Sequence, residues 1–252
     1  MLKKLLLLIT LLNPLAILAQ DAVSLIKEAD QLEASLKEEE AYDKFKQVLK
    51  VDHRNYYALW KCSELCSRIG RRQATKQKQL DFYKAGKIYA EMAIKADPQK
   101  ADGYYALAVA MGRLAISESG DEKIKAVKAI KENADKAIQI NPNHGRAWHV
   151  LGKWHYEVSN LNAVERAALK IFYGGLPKSS LEEAIKAYEK AMVLEPNFAL
   201  NNLELAKAYH RNNQDAKAIA LLKALPAIPE KTEDDKHIKE EGRKLLEKLT
   251  KK

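Results

Sequence analysis

The sequence has few of the residues that interrupt helices. Its 252 residues include 10 glycines and 7 prolines, whereas alanine, leucine, lysine and glutamate are abundant. Glycine and proline are the least favourable residues inside a helix, and the four abundant types are among the most favourable. No alternating apolar and polar stretch of useful length is present, which argues against β-strands. The composition therefore indicates an all-α fold.

Cysteine is also scarce, with only Cys62 and Cys66 present. The two lie four positions apart on one predicted helix, and a disulfide at this spacing would strain a regular helix. Both positions face the core of the predicted fold, so we interpret them as buried thiols. A reactive pair is the alternative, and an oxidising compartment would favour its oxidation. Neither interpretation gives a Cys-x-x-Cys redox site.

Sequence motifs of enzymes are missing as well. There is no G-x-S-x-G, P-loop or dinucleotide-binding fingerprint. Six histidines are present, but none has the H-E-x-x-H spacing of a zinc site. His149 and His155 are six positions apart and therefore point in different directions on a helix. We expect no catalytic residues, no metal site and no cofactor.

The apolar run at the start has the layout of a secretory signal peptide. Two lysines precede a run that ends at Leu18, and Ala19 offers a small residue for cleavage. The run is short for a membrane span, and Pro14 would disturb one; an uncleaved anchor is the alternative. The prediction is that residues 1–19 are a signal peptide and that the chain is exported, to the periplasm or as a secreted protein. No transmembrane segment is expected after its removal.

What the sequence does contain is a repeated pattern of helix pairs. One stretch has most of the residue types of the tetratricopeptide motif W-x2-L-G-x2-Y, A-x3-F and P at the expected offsets, with His155 where the motif has its first tyrosine. Similar residues recur at these offsets along the chain. The pattern predicts an all-α tetratricopeptide-repeat (TPR) solenoid of about five helix pairs, in which each repeat contacts its neighbours. The matching residues of the fourth repeat are Trp148, Leu151 and Gly152 in its first helix, then Ala184, Tyr188 and Pro196. We expect Gly152 to lie where the two helices cross closely and Trp148 to fill the space beside it.

Three of the predicted repeats carry insertions between their two helices. Residues 71–79 and 117–123 are interpreted as longer loops. Residues 160–180 contain apolar residues near helical spacing, so we expect an extra helix there. The Gly-Gly-Leu-Pro stretch from Gly174 would end this helix. Ser179 or Ser180 would cap the next one, and Ser180 has Glu183 three residues on, as in a capping box.

The end of the chain is polar and has apolar residues only at intervals. A solenoid needs a last helix with one polar face, and residues 233–250 suit this role. The predicted division is a signal peptide at 1–19, the solenoid at 20–230, and a capping helix with a basic tail at 231–252.

The fourth repeat also resembles a known family. Its insertion contains Val164-Glu165-Arg166 and Gly174-Gly175-Leu176-Pro177. Together with the repeat residues from Trp148 to Pro196, these are similar to the regulator of microtubule dynamics family. The resemblance implies microtubule association or phospholipid binding, in proteins best known from inside eukaryotic cells. One departure is Ala163-Val164, since the family usually has an aromatic residue just before its Glu-Arg pair.

The first helices of a TPR solenoid line a concave face that commonly binds ligands. Aligned by the motif, aromatic and aliphatic residues lie near the start of these helices, and cations follow. An apolar strip beside a basic strip would suit an amphipathic anionic ligand, such as a phospholipid or a peptide with a carboxylate. Solvated charges and packing between repeats are the alternative. The predicted groove residues are Trp60, Arg68, Tyr105, Arg113, Arg146, His149, Lys153, Tyr156, Lys207 and Arg211.

The formal net charge of +9 is moderate for this length. Nucleic-acid binding would require basic residues clustered with stacking aromatic residues, which the sequence lacks, so we expect no nucleic-acid partner. The function predicted is that of a non-enzymatic, exported binding module with a protein or peptide partner in its groove. The alternatives are a phospholipid-binding or lipid-carrying protein, with anionic lipid as partner, and the microtubule-associated role that the resemblance implies.

Overall fold

The structure, a computed structural model, describes residues 14–251, and within that range it is built of helices without β-strands. The helices of the first three pairs are α1 (Pro14–Ala34) and α2 (Glu38–Val51), α3 (Tyr56–Arg72) and α4 (Lys76–Ala96), and α5 (Ala101–Ala115) and α6 (Gly120–Ile140). The others are α7 (Gly145–Ser159), α8 (Ala163–Tyr173), α9 (Leu181–Leu194), α10 (Ala199–Arg211), α11 (Asp215–Ala224) and α12 (Asp235–Thr250), with a 3-10 turn at Leu225–Ala227.

The helices stack as pairs. α1 packs on α2, α3 on α4, α5 on α6, α7 on α9 and α10 on α11, and each second helix also packs on the next pair. The first helices additionally contact one another, α3 with α5, α5 with α7 and α7 with α10. No comparable contacts join the second helices in the described part of the chain. The first helices are therefore closer together and form the concave side, here called the inner face. This arrangement confirms the predicted TPR solenoid of five helix pairs.

Gly152 marks the closest crossing between α7 and α9. A Cβ atom at this position would lie 2.7 Å from the ring of Tyr188, so only glycine fits without a shift of the ring. The prediction of a close crossing at Gly152 is confirmed. The prediction that Trp148 fills the space beside it is wrong, because the fully buried Tyr188 does so. Trp148 is only partly buried, and its indole N–H donates to the carbonyl of Pro142 at 2.8 Å.

The core follows the predicted repeat positions. Ala29, Phe45 and Val48 form the centre of the first cluster and are fully buried. Cys62 and Cys66 are buried in the same region and are not disulfide-bonded, which confirms the interpretation as buried thiols. Burial raises the pKa of both thiols, that of Cys66 to about 11.

The insertions of the second and third repeats are mostly helical. α3 continues to Arg72 and α4 begins at Lys76, where the hydroxyl of Thr75 accepts the backbone N–H of Lys78 at 3.3 Å. α6 begins at Gly120. The loops predicted at 71–79 and 117–123 are therefore wrong in extent, because good helix formers on both sides lengthen the helices into them.

The insertion of the fourth repeat contains the predicted extra helix, α8. Asn162 and Glu165 cap its start reciprocally, through hydrogen bonds of 2.9 and 2.8 Å. Gly174 ends it in the left-handed conformation, with φ of 70°. The side chain of Ser180 caps α9 as predicted, accepting the backbone N–H of Glu183 at 3.1 Å.

α12 covers the end of the solenoid, with Ile238 and Leu249 buried against the last repeat. The stretch before it, residues 228–234, returns to the first repeats and is called the strap. The backbone N–H of Glu38 donates to Glu233 at 2.8 Å, and that of Glu233 donates to Glu38 at 3.3 Å. The strap therefore ties the last repeat to α2, a long-range contact that the repeat pattern does not indicate.

Candidate binding pocket on the inner face

A pocket of about 260 Å³ opens on the inner face, between residues of α1, α3, α5 and α7. Trp60 of α3 and Tyr105 of α5, both predicted groove residues, form aromatic walls, together with the imidazole of His144. The structure therefore places two of the predicted aromatic residues in one pocket. The charged lining side chains are the acids Glu33, Glu64, Asp102 and Glu195 and the cations Lys61 and Arg146.

Glu64 lies at the centre of a buried ionic network. The guanidinium of Arg146 forms an ion pair with it, and the hydroxyl of Tyr105 donates to the same carboxylate at 3.2 Å. Burial alone would raise the pKa of Glu64, but Arg146, Arg68 and Lys61 together hold it well below its usual range. Glu64 is therefore a permanent anion, and its partners are held in fixed positions.

Glu33 anchors a second network at the back of the pocket. Both Lys61 and Arg68 form ion pairs with its carboxylate. The ammonium of Lys61 also lies 5.1 Å from the ring centroid of Trp60, within the range of a cation–π contact. Arg68, a predicted groove residue, is buried and holds this wall of the pocket in place.

The rim of the pocket carries two partly exposed carboxylates. The side chain of Asp102 is 40% exposed, and that of Glu195 is 36% exposed and lies 3.3 Å from Arg146. His144 accepts the backbone N–H of Ala147 through Nδ1 at 3.1 Å, so its Nε2 carries the proton and lies 3.6 Å from Asp102. This imidazole lowers the pKa of Asp102, which keeps the rim negative at neutral pH.

Charges in the pocket do not cancel. Four carboxylates line it against the two cations Lys61 and Arg146, and Arg68 adds a third cation from behind. The excess is negative, although the whole chain carries a formal charge of +9. Electrostatics and the aromatic walls therefore favour a cationic group in this pocket.

His149 is placed away from this pocket. Its ring is buried, with Nδ1 at 3.1 Å from Oδ1 of Asn201 and the ring 4.9 Å from that of Phe198. Burial lowers the pKa of His149 to about 4. In the structure this side chain joins α7 to α10 as a neutral group.

Lys153 and Lys207 share one buried carboxylate. Each ammonium lies 2.7 Å from Glu204, and Lys207 also contacts Glu241 of α12 at 2.7 Å. Burial would raise the pKa of Glu204, but the two lysines lower it overall. Both predicted groove cations are thus engaged in ion pairs across α7, α10 and α12.

Tyr156 and Arg211 lie together at the end of α7. Arg211 donates to the carbonyl of Tyr156 at 2.7 Å and to the hydroxyl of Ser159 at 2.9 Å. Its guanidinium is 4.8 Å from the ring centroid of Tyr156, and the ammonium of Lys153 is 5.5 Å from the same ring. The structure brings these three predicted residues into one cluster.

Arg113 differs from the other predicted cations. Among the described residues no carboxylate lies within ion-pair distance of it, and burial lowers the pKa of its guanidinium. The charged neighbours of Arg113 are Arg71 of α3 and Asp234 of the strap. The hypothesis that Arg113, Lys153 and Arg211 form a basic strip, which receives the acidic end of a ligand, stays a prediction.

The role of the acids on the inner face was not predicted from the sequence. Glu33, Glu64 and Glu204 lie on three different first helices, and a cation of another first helix pairs with each. The described residues contain no group of three or more His, Cys, Asp or Glu side chains placed to hold a metal ion.

The fold and the inner face define a protein of the tetratricopeptide-repeat class. The chain is similar in fold to TTC0263, a thermophilic TPR protein of Thermus thermophilus, with a TM-score of 0.63 over 88% of this chain and 98% of that chain. The two are 16% identical in sequence, so the likeness concerns the fold. Residues 25–250 match the family model for regulator of microtubule dynamics protein 1-3. The chain belongs to this family.

Curated relatives agree with this assignment. Regulator of microtubule dynamics protein 3 of Xenopus laevis is 30% identical over 190 residues, which cover 75% of this chain and 41% of the relative. Protein 1 of Mus musculus is 30% identical over 192 residues, 75% of this chain and 62% of the relative. Regulator of microtubule dynamics protein 1 of Bos taurus is 28% identical over 225 residues, which cover 88% of this chain and 70% of the relative. The chain thus spans less than two thirds of the length of the Xenopus laevis and Mus musculus relatives.

This membership corrects the prediction of export. The relatives are animal proteins named as regulators of microtubule dynamics, and microtubules are structures of the cell interior. The expectation of a periplasmic or secreted protein is therefore wrong. Most of the predicted signal peptide, residues 1–13, lies outside the described residues. Within the described range, no helix is both long and apolar enough to cross a membrane.

Proposed function

We propose that the chain is a non-enzymatic module that binds a protein or peptide partner on its inner face. The pocket between α3, α5 and α7 would hold a cationic group of this partner, such as a lysine or arginine side chain. The observation that carries the proposal is the excess of carboxylates around two aromatic walls in a pocket of about 260 Å³. The fold class supports a binding role, since TPR solenoids present extended concave surfaces to their partners.

A cation gains from this pocket in two ways. Asp102 and Glu195 are partly exposed, so a ligand reaches them without displacing the buried ion pairs. The ring of Trp60 offers a π face, and a cation over an aromatic face gains about 0.5–2 kcal/mol, depending on its desolvation. The buried network of Glu64, Arg146 and Tyr105 holds the walls rigid, which reduces the entropic cost of binding.

The test uses short peptides with a single variable side chain. Heptapeptides with a central lysine, arginine, glutamine or glutamate would be titrated into the purified full chain, with binding followed by calorimetry. We expect the two cationic peptides to bind and the glutamate peptide to fail. The double variant Asp102→Asn and Glu195→Gln should weaken the cationic peptides at least about tenfold, and the loss should shrink at high salt.

A matched control removes two carboxylates elsewhere. Glu91 and Asp135 lie on the second helices α4 and α6, are about half exposed, and form ion pairs with Lys87 and Lys131. The control variant Glu91→Gln and Asp135→Asn should bind the peptides as the parent does. Equal binding of cationic and acidic peptides, or an equal loss in both double variants, would contradict the proposal.

Regulation of microtubules is the second candidate, and family membership supports it. The experiment is co-sedimentation of the full chain with assembled microtubules, with the pocket double variant beside the parent. Loss of co-sedimentation in the variant would assign the microtubule contact to the pocket. Sedimentation of both proteins would assign it to another surface, and sedimentation of neither would remove this candidate.

Phospholipid binding on the same face is the alternative suggested by the predicted apolar and basic strips. Lipid extraction of the purified protein, followed by mass spectrometry, tests it directly. A stoichiometric phospholipid that cationic peptides cannot displace would replace the peptide proposal with the lipid one.

A further inference from the structure

The helix inserted in the fourth repeat, α8, stands apart from the solenoid. It connects α7 to α9 but makes no extensive contact with any other helix of the described part. Val164 is 78% exposed, Ile171 76% and Phe172 74%. Large apolar side chains in a soluble domain normally gain about 1.5–3 kcal/mol each by burial, so a helix that exposes three is unlike the rest of this chain.

Three exposed apolar residues and the half-buried Ala168 form one stripe. Val164, Ala167, Ala168 and Ile171 follow the three- and four-residue spacing that places side chains on one face of a helix. Glu165, Arg166 and Lys170 lie outside this stripe. α8 is therefore amphipathic, and its apolar face is directed away from the core instead of into it.

The ends of α8 are fixed without tertiary packing. The reciprocal Asn162–Glu165 cap satisfies the N-terminal backbone donors. Arg166 donates to the carbonyls of Leu161 and Ser159, at 2.9 and 2.8 Å. Gly174 terminates the helix. A helix with such ends presents its apolar stripe already formed, so docking does not have to order it first.

The charge around α8 indicates what covers the stripe. Residues 160–180 contain one acid, Glu165, against the three cations Arg166, Lys170 and Lys178. Amphipathic helices with cations beside an apolar face lie in the interface of anionic membranes, with that face buried among the acyl chains. Each nearby lysine or arginine adds about 1 kcal/mol on an anionic surface.

We propose that α8 docks on an anionic lipid surface, with Val164 and Ile171 inserted and Lys170 and Lys178 among the headgroups. This surface is separate from the inner-face pocket, so the proposal does not depend on the peptide proposal. It places the chain on a membrane through a helix that the repeat fold itself does not need.

The experiment reports on α8 alone, so other membrane-binding segments do not affect it. An environment-sensitive fluorophore, NBD, would be attached to Ile171→Cys in the full chain. The native thiols are fully buried and have raised pKa values, so they should label poorly. The control carries the label at Val193→Cys, on α9, where the native side chain is also 74% exposed. Vesicles of phosphatidylcholine, with or without about 30% phosphatidylserine, are then added.

We expect a blue shift and a severalfold rise in fluorescence at position 171 with the anionic vesicles, and little change with the neutral ones or at position 193. Val164→Ser or Lys170→Gln should each raise the lipid concentration needed for half the change at least about threefold. No change at position 171 would overturn the proposal. An equal change at both positions would also overturn it. A blue shift that grows with protein concentration in the absence of vesicles would overturn it too, because it would assign the stripe to contact with a second copy of the chain.

Discussion

At the residue scale, buried carboxylates organise the inner face. Glu64 and Glu204 each pair with cations that the sequence predicts as groove residues. The aromatic residues and cations could be predicted from the sequence because they recur at fixed offsets of the repeat motif. Their pairing could not, because it depends on how far each helix is shifted along its neighbour. Trp60, Tyr105 and Arg146 illustrate the result, since they line one pocket in the structure.

The buried His149 makes stability depend on pH. Its pKa is about 4 in the folded chain against an ordinary 6.5, so below pH 6.5 the unfolded chain takes up a proton that the folded chain refuses. Stability should fall as pH drops from 6.5 towards 4, by about 2 kcal/mol at pH 5. His155 also has a lowered pKa and acts in the same direction.

The measurement is urea unfolding of the parent and of His149→Gln at pH 8 and pH 5. The variant should lose less stability than the parent between the two pH values. An identical loss in both proteins would contradict a neutral, buried His149.

The crossing at Gly152 should tolerate no side chain. Gly152→Ala would place a methyl group 2.7 Å from the fully buried Tyr188 ring, and such overpacking costs roughly 1–3 kcal/mol. Trp148→Ala should cost less than the roughly 3–5 kcal/mol of a fully buried tryptophan, because its ring is only partly buried. Thermal unfolding measures both, and a larger loss for Trp148→Ala than for Gly152→Ala would contradict the packing described here.

At the element scale, the helix pairs were predictable and some of their ends were not. Small residues at Ala29, Gly152 and Ala184, and prolines after the second helices, mark the pairs. The loop predicted at 71–79 is mostly helix because its arginine, lysine and glutamine residues favour it, and in the one predicted at 117–123 the helix begins at Gly120. α8 was indicated by its spacing, but its exposure was not, since periodicity shows that a helix has an apolar face and not what covers that face.

Removal of α8 should leave the solenoid stable. Replacement of residues 161–179 with a short glycine–serine turn deletes a helix that makes no extensive contact with any other described helix. A shorter loop changes the closure entropy by only about 0.6 kcal/mol per halving of its length. The circular-dichroism melting midpoint should therefore move by no more than a few degrees. A drop of more than about 10 °C would show that α8 contributes to the core.

At the scale of the whole molecule, the strap converts an open solenoid into a closed one. Arg72 pairs with Glu38 at 2.7 Å and with Asp234 of the strap at 3.4 Å. The capping helix α12 could be predicted from its apolar spacing. The strap could not, because a contact between residues 195 positions apart leaves no periodic trace in the sequence.

Loss of Arg72 should destabilise the first and last repeats together. Glu38 is fully buried, so Arg72→Ala removes one of its cations and costs roughly 1–3 kcal/mol or more. Hydrogen exchange should become faster both in α2 and in α12. Faster exchange in α2 alone, with α12 unchanged, would contradict the closure of the solenoid by the strap.

The most direct test of the inner-face pocket uses the three tryptophans of the chain. Trp60 lines the pocket. Trp148 lies on the outer side of α7, where its indole N–H donates to the carbonyl of Pro142. Trp154 is buried, and its indole N–H donates to the carbonyl of Val127. Their indole N–H signals would be followed in ¹H–¹⁵N spectra during titration with the lysine heptapeptide. We expect the Trp60 signal to move and the other two signals to stay in place. A shift of Trp148 with Trp60 unchanged would place the partner elsewhere and contradict the proposed site.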